Sequence, residues 1–216
     1  MILTLSDPKA GRRIAPQVAQ HLDGGGLIAY PTETVYGLGS WPTDMGLDAL
    51  ARLKGRPPRK PFLLLVSSLA MLEATGLALN ASALTMAREF WPGPLTLVLP
   101  GGEGRLPSRL RGPEGGIAVR WTSHLALGAM IEALGQPITS TSANRPGGAP
   151  APGADGVAAL FGEAIAQGDL LVLDGGVLGN VPPSTLVDCT SAVPRMVREG
   201  AIPRDELRRR VGRMAP

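Results

Sequence analysis

Short apolar runs along the chain alternate with longer segments in which apolar residues recur at helical spacing. The run Leu27–Tyr30 is stopped by Pro31, which predicts a short buried strand that feeds an abrupt turn. The next segment predicts a helix, because leucine recurs at helical spacing, Thr43 or Asp44 can cap it, and Gly55 ends it. Strand followed by helix is the order that recurs along much of the chain.

Seven further apolar runs predict strands. They cover residues 62–66, 95–99, 117–121, 138–142, 170–173, 185–187 and 196–197. A proline or a polar cap introduces five more helices, which we expect to begin at Pro16, Ser67, Ser82, Ser123 and Pro203. Residues 145–156 are rich in proline and glycine and show no periodicity, so they predict a loop.

The order of these elements predicts a single α/β domain over residues 1–216, with a core at about 15–202 and a short basic helix at about 203–214. The late strands follow one another too closely for helical crossovers, so the sheet should be mixed. We find no internal repeat and no linker. A chain of 216 residues is long enough for one substantial core, whereas two full domains would be cramped.

The composition narrows the possible chemistry. Hydrophobic residues make up 44% of the chain but aromatic residues only 4%, so aliphatic side chains must fill the core. Cys189 is the only cysteine, which excludes an internal disulfide, and no cation or histidine flanks it, so we expect a structural thiol. The two histidines, His21 and His124, are too few for an ordinary zinc site, and we assign no metal ligand among the side chains.

The apolar runs also indicate where in the cell the protein is expected. The first residues lack the basic flank and long apolar run of a signal peptide, and no stretch approaches the ~20 apolar residues that span a bilayer. We therefore expect a cytoplasmic protein with no membrane partner. The net charge of +3 is compatible with anionic ligands but does not identify one.

Three hydrogen-bonding side chains, Thr32, Glu33 and Thr34, follow the first strand, and Gly37 and Gly39 come soon after them. Hydroxyl groups at a strand end, beside glycines that let a ligand approach the backbone, can form the floor of a substrate site. A polar turn between two core elements fits the same pattern. The residues alone leave both interpretations open.

Four cations occur in the segment from Lys54 to Lys60, which includes Arg56 and lies between a helix and a strand. Cations held in place by prolines suit a polyanion such as a triphosphate. A solvated basic turn is the alternative interpretation. The chain has no Gly-x-x-x-x-Gly-Lys-Ser/Thr loop, so any nucleotide must be held in another way.

Polar residues also interrupt the later strands. Strand alternation predicts that Ser140 and Ser142 project to one face, with Asn144 at the exit of the strand. A polar row on an apolar strand needs partners, either from the protein or from a ligand. Arg120 and Arg198 lie in strand segments, where each could hold a carboxylate or phosphate or be half of an ion pair.

The sequences of these clusters, and their order along the chain, resemble those of the YrdC/Sua5 family of threonylcarbamoyl-AMP synthases. The resemblance runs from about Leu27 to Gly200, and each motif is short, but seven occur in the family's order. The motifs are Tyr30–Gly39, Lys54-Gly-Arg56 with Lys60-Pro61, Trp91–Thr96, Ala118–Arg120, Thr141–Asn144, Ser184-Thr185 and Arg198-x-Gly200. The length resembles the family's single-domain form.

The resemblance implies a twisted mixed α/β fold with a basic concave cavity. It also implies that L-threonine, bicarbonate and ATP, with Mg²⁺, give threonylcarbamoyl-AMP and pyrophosphate for the t6A37 modification of tRNA. By matching motifs, the residues implied in catalysis are Lys54, Arg56, Ser142 and Asn144. Those implied near ATP are the same four with Lys60 and Arg198, and those implied near L-threonine are Thr32, Arg120, Ser140 and Ser184.

One departure from the family concerns Pro146, which stands where the family usually has serine and removes a hydroxyl and a backbone N–H. The main alternative function is a non-catalytic module of the same fold that binds double-stranded RNA or tRNA through the basic concavity. Other readings are a carbamoyltransferase-type relative of hydrogenase maturation and an inactive paralogue. The family leaves RNA and other t6A-pathway proteins open as partners.

Overall fold

The computed structural model describes residues 1–55, 61–102, 104–212 and 214–215. Within these residues the strands are β1 (Ile2–Thr4), β2 (Leu27–Tyr30), β3 (Gly37–Gly39), β4 (Leu63–Val66), β5 (Leu95–Leu99), β6 (Ile117–Trp121), β7 (Ile138–Ser142), β8 (Leu170–Asp174), β9 (Thr185–Asp188) and β10 (Arg195–Arg198). The helices are α1 (Pro8–Asp23), α2 (Asp44–Lys54), α3 (Leu69–Ala74), α4 (Ala81–Phe90), α5 (Leu125–Leu134), α6 (Ala154–Ala166) and α7 (Arg204–Val211). None of the helices in the described ranges combines the length and apolar character needed to cross a membrane.

The strands pair in the order β1-β8-β2-β3-β7-β4-β6-β5-β9-β10. Four neighbouring pairs are parallel, namely β1/β8, β2/β8, β4/β6 and β5/β9. The remaining pairs along this order are antiparallel. The predicted mixed α/β fold is thereby confirmed, and all eight strands expected from the apolar runs are present.

Hydrophobic clusters cover both faces of the central strands. In β4, Leu64 joins a large cluster with Leu47 of α2, while the next residue, Leu65, joins a second cluster with Val18 of α1. The second cluster is built by α1 and α5 against β8, β2, β7 and β4. Strands that are apolar on both faces are buried on both, as the continuous leucine run at residues 63–65 predicted.

The first helix is longer than the sequence indicated, so the expectation of a helix starting at Pro16 is wrong. It begins at Pro8, and Pro16 lies inside it. Asp7 is its cap, because one carboxylate oxygen accepts the backbone N–H groups of Lys9 and Ala10 at 2.8 and 2.9 Å. A proline at the first helical position needs no intrahelical partner, so Pro8 supplies the start signal that was attributed to Pro16.

Helix α6 was missed, and residues 154–156, predicted as part of the loop, form its first turn. Gly153 precedes it without a capping side chain, and Phe161 has non-helical φ and ψ of −132° and 26°. Both features remove the signals on which helix recognition depends. Strands β1 and β3 were also missed, because three residues are too few to display a period.

The caps of three other helices are displaced by one or two residues from those predicted. Ser68 and Asn80 cap α3 and α4. His124 caps α5, where its ring nitrogen Nδ1 accepts a hydrogen bond from the backbone N–H of Leu127 at 3.2 Å. The bounds of α2, with Thr43 as its cap and Gly55 in the left-handed region at its end, agree with the sequence.

The histidine cap should make stability depend on pH. Burial lowers the pKa of His124 below its ordinary value of 6.5, and the Glu33 carboxylate offsets only part of this shift. The unfolded chain therefore binds this proton at a higher pH than the folded protein does. The stability that the neutral cap contributes is complete above pH 6.5 and is lost as the pH falls through the lower folded pKa.

We expect the free energy of unfolding from urea titrations to decrease between about pH 7.5 and about pH 5. The decrease should be smaller in His124→Asn, whose side-chain oxygen stays neutral and can still cap the helix. An identical pH dependence in the wild type and the variant would show that His124 does not carry the effect.

Candidate active site

A cavity of about 840 Å³ opens on the part of the sheet that α1 and α5 leave uncovered. Strand alternation builds its floor. In β5, Leu95, Leu97 and Leu99 enter the hydrophobic core, whereas Thr96 and Val98 line the cavity. In β6, Ala118 and Arg120 line the cavity while Ile117 and Val119 enter the core, so the same strands serve as core on one face and as site on the other.

All eight described residues that the sequence placed in the site line this cavity. They are Thr32, Lys54, Arg120, Ser140, Ser142, Asn144, Ser184 and Arg198. Arg56 and Lys60, also predicted there, lie outside the described residues. The charged lining residues of the described part are Lys54, Arg120, Arg195 and Arg198, with Glu114 and Asp188.

Arg120 is buried, at 4% exposure, and is held by a chain of hydroxyl groups. Its Nη1–H donates to Thr34 Oγ1 at 3.2 Å, and the hydroxyl groups of Thr34 and Thr32 are 3.0 Å apart. Thr32 donates its hydroxyl to the carbonyl of Val35, so the Thr34 hydroxyl donates to Thr32 and can accept from Arg120. The 32–34 turn therefore orients the guanidinium.

Glu33 neutralises this buried cation from a position outside the cavity lining. Its Oε1 lies 3.7 Å from Arg120 Nε, and both atoms are buried without a hydrogen-bond partner among the described residues. Its other oxygen accepts the Thr122 hydroxyl at 2.6 Å. The ion pair compensates the charge of Arg120.

Lys54, Ser142 and Asn144 form a second group, here called the lysine cluster. Lys54 Nζ donates to the Ser142 carbonyl at 2.5 Å, to the Asn144 carbonyl at 2.6 Å and to Asn144 Oδ1. The Ser142 hydroxyl donates to the same Oδ1 at 2.7 Å. These three acceptors lie around the ammonium group, which has three N–H donors. Lys54 thus ties the end of α2 to the exit of β7.

Arg198 and Ser184 lie on the late strands or next to them. Arg198 Nη2 donates to the Ser184 carbonyl at 2.7 Å, and the Ser184 hydroxyl lies 2.8 Å from the Thr96 hydroxyl. Desolvation and the positive charge of Arg120 lower the pKa of Arg198. Two guanidinium groups that line one cavity create a positive potential there, which favours the binding of an anion.

Sequence reasoning singled out the 32–34 turn but assigned a role only to Thr32. Thr34 holds Arg120, and Glu33 neutralises it. A carboxylate between two hydroxyl residues was a visible signal for a buried cation partner. Thr96 gave a weaker signal, as a single polar residue in an apolar strand.

No group of three potential ligands among His, Cys, Asp and Glu occurs in the described ranges that could hold a metal ion. Cys189 is buried, and burial raises the pKa of its thiol to about 12, so it stays protonated at neutral pH. The prediction of a structural thiol agrees with this environment. Pro146, at the family's serine position, lines the cavity with an apolar ring.

Comparisons with known proteins agree on one family. A sequence profile of the Sua5/YciO/YrdC family, described as "Telomere recombination", matches residues 20–200. A protein of Chromohalobacter salexigens named threonylcarbamoyl-AMP synthase is 41% identical over 180 residues, which cover 83% of this chain and 94% of that protein. A protein of the same name from Thiobacillus denitrificans is 38% identical, over 80% of this chain and 89% of its own.

The fold is also similar to known structures. Sua5 of Pyrococcus abyssi, crystallised with L-threonine, superposes with a TM-score of 0.86 at 31% identity, covering 99% of this chain but only 62% of that protein. E. coli YciO superposes with a TM-score of 0.75 at 27% identity, covering 93% and 94%. The mixed sheet and its cavity thus define a YrdC-like α/β protein. The chain belongs to the Sua5/YciO/YrdC family.

The buried pair in the site can be compared with a surface pair of the same residue types. Glu33→Ala should lower the free energy of unfolding by about 3 kcal/mol, because it leaves Arg120 buried without a counter-charge. Glu132→Ala removes the partner of Arg12 in an exposed ion pair of 3.3 Å. It should change the free energy of unfolding by less than about 0.5 kcal/mol. Chemical denaturation of both variants measures the difference, and equal effects would contradict the role of Glu33.

Proposed function

We propose that the protein is a threonylcarbamoyl-AMP synthase, a nucleotidyltransferase that joins L-threonine, bicarbonate and ATP and releases pyrophosphate. The observation that carries the proposal is the pair of clusters in one cavity. A buried, neutralised guanidinium suits an amino-acid carboxylate, and the lysine cluster with Arg198 suits a polyphosphate. Relatives of that name, and a Sua5 bound to L-threonine, support the same activity.

The reaction brings anions together. The threonine amine adds to the carbon of bicarbonate, water leaves, and the resulting carbamate oxygen attacks the α-phosphorus of ATP. The bond between that phosphorus and the pyrophosphate oxygen then breaks. No step requires a covalent bond to the protein, so the residues act by orienting the substrates and by stabilising charge.

Arg120 would bind the threonine carboxylate, with Thr32, Ser140 and Ser184 close to the rest of the amino acid. Its position is fixed before binding by Glu33 and Thr34, so little conformational entropy is lost when the carboxylate arrives. A charge-assisted contact from a preorganised guanidinium favours a planar carboxylate.

The lysine cluster would face the phosphates together with Arg198, and we assign Arg56 and Lys60 to the same role. Oxygens of the protein already lie around Lys54 Nζ, so a phosphate oxygen would replace one of these acceptors. Two of these three acceptors are backbone carbonyls, whereas the third, on the Asn144 side chain, can rotate away. Exchange of its Oδ1 for a phosphate oxygen would leave the Ser142 hydroxyl and Lys54 both aimed at the nucleotide.

Mg²⁺ would enter with ATP and supply charge neutralisation on the phosphates. The described side chains offer no ligand cluster of their own, so we assign the ion to the triphosphate and derive no step through it. The product would serve as threonylcarbamoyl donor for the t6A37 modification of tRNA by other proteins of that pathway in the cytoplasm.

The alternative, a non-catalytic RNA-binding module, has less support. The two relatives reported above are named as synthases over most of this chain. On α7, which carries the basic C-terminal residues, Arg210 pairs with Glu89 and Glu206 at 3.6 Å each. Part of that basic surface is thus engaged within the protein.

The proposal is tested by incubating the protein with MgATP, bicarbonate and L-threonine and measuring pyrophosphate and the adenylate by mass spectrometry. We expect both products, and neither when threonine or bicarbonate is left out. Pyrophosphate release that is independent of threonine, or no adenylate at all, would reject the proposed function.

The two clusters should be separable by kinetics. Lys54→Met keeps the buried stem but removes a donor to charge that grows in the transition state, so kcat should fall about 10²–10³-fold. Arg120→Ala should act mainly on the KM for threonine, raising it at least about 10-fold, because the carboxylate charge does not change during the reaction.

The KM for ATP should change less than about twofold in Arg120→Ala, and melting temperatures distinguish unfolding from altered binding. If both variants lost thermal stability while their folded fractions kept normal kinetics, both residues would be structural and the site assignment would be wrong.

A further inference from the structure

We propose that Arg145 is a positioning residue for the lysine cluster, which it holds from outside the cavity. This inference rests on the proposed function. Arg145 follows Asn144 directly and precedes Pro146, and both neighbours line the cavity whereas Arg145 does not. Its guanidinium instead points to the backbone of two helices.

The guanidinium joins three segments. Its Nη2–H donates to the carbonyl of Leu160 in α6 at 2.8 Å, and its Nη1–H donates to the carbonyl of Leu53 in α2 at 3.4 Å. The central carbon also lies 4.8 Å from the centroid of the Phe161 ring, which is almost fully buried. Arg145 thereby links the exit of β7 to the end of α2 and the middle of α6.

Both carbonyl groups lie at irregular points of their helices. Leu53 is in the last turn of α2, where the Gly55 N–H donates to the carbonyls of Ala51 and Arg52, and the last four carbonyls of a helix have no donor within the helix. Leu160 immediately precedes Phe161, where α6 departs from helical geometry. The Leu53 carbonyl, at a helix C-terminus, carries partial negative charge, so a guanidinium is a favourable partner for it.

These contacts affect the site because Leu53 and Arg145 are adjacent in sequence to residues of the lysine cluster. Leu53 precedes Lys54, and Arg145 follows Asn144, so Arg145 closes a second connection behind the one that Lys54 makes to Asn144. Asn144 in turn donates its side-chain N–H to the carbonyl of Gly148 at 2.5 Å. Without Arg145, the end of α2 and the 144–148 segment can shift relative to each other.

A shift between these segments would misplace the donors intended for the nucleotide and leave the threonine side of the cavity intact. Arg120 is oriented by Thr34 and Glu33, and Thr122 holds Glu33; none of the three forms a hydrogen bond with Arg145 within the described residues. The expected defect is therefore selective for ATP. That selectivity separates positioning from a general loss of stability.

The test compares Arg145→Ala and Arg145→Lys with the wild type in the adenylate assay. In Arg145→Ala we expect kcat/KM for ATP to fall roughly 10-fold or more while the KM for threonine changes less than about twofold. Lysine should restore only part of this, because an ammonium group lacks the planar fork with which a guanidinium donates to both carbonyls while it stacks on the ring. Arg12→Ala, which breaks an exposed ion pair with Glu132, is the matched control and should be neutral.

A double-mutant cycle with Lys54→Met identifies the route of the effect. If Arg145 acts through Lys54, adding Arg145→Ala to Lys54→Met should cause little further loss. Fully additive losses would mean that Arg145 acts independently of Lys54, and the inference would be wrong. A lower melting temperature with unchanged kinetics in Arg145→Ala would also overturn it.

Should Arg145→Ala fold poorly, Phe161→Leu gives a second approach. It keeps an apolar side chain in the core but removes the ring under the guanidinium, and we expect a smaller loss confined to ATP. An unchanged KM for ATP in Phe161→Leu would then count against the inference. Wild-type protein that forms no adenylate rejects the proposed function, whereas active wild type with a normal Arg145→Ala rejects only the role of Arg145.

Discussion

Side-chain alternation in the mixed sheet is the constraint on which both the core and the site depend. In β5, every second residue is a leucine that enters the core, and the residues between them face the cavity. In β6, Ala118 and Arg120 line the cavity and alternate with Ile117 and Val119 of the core. A shift of one residue in strand register would bury the polar set and expose the apolar set, so packing of the core also fixes which residues form the site.

Within the cavity, the stability of the protein and its capacity to bind anions are in conflict. A buried guanidinium such as that of Arg120 is costly without compensation, and Glu33 provides it from behind. In the lysine cluster, oxygens of the protein itself compensate the charge of Lys54. Both cations are thus stabilised before any ligand arrives. The difference is that Lys54 donates to oxygens of the protein, whereas Arg120 Nε faces the Glu33 carboxylate at 3.7 Å without a hydrogen-bond partner among the described residues.

Much of the site could be predicted because its residues lie in short, distinctive motifs. The polar row from Thr139 to Asn144 and the 32–34 turn stood out against an apolar background. Glu33 could be recognised as a polar residue of this turn, but it was assigned no role because its partner Arg120 is far away in the sequence. Arg145 was read only as part of a loop, since its partners are backbone carbonyls, which no side-chain pattern records.

The sequence by itself determined the strands with long apolar runs, the mixed character of the sheet and the motifs of the family, because these follow from neighbouring residues. Helix α6 escaped recognition because its start has no capping side chain and Phe161 breaks its geometry. Only the tertiary structure decided that Glu33 faces Arg120 and that Lys54 joins Asn144. Those contacts depend on which strands pair and in what register, and this is settled by packing of the whole chain rather than by any local segment.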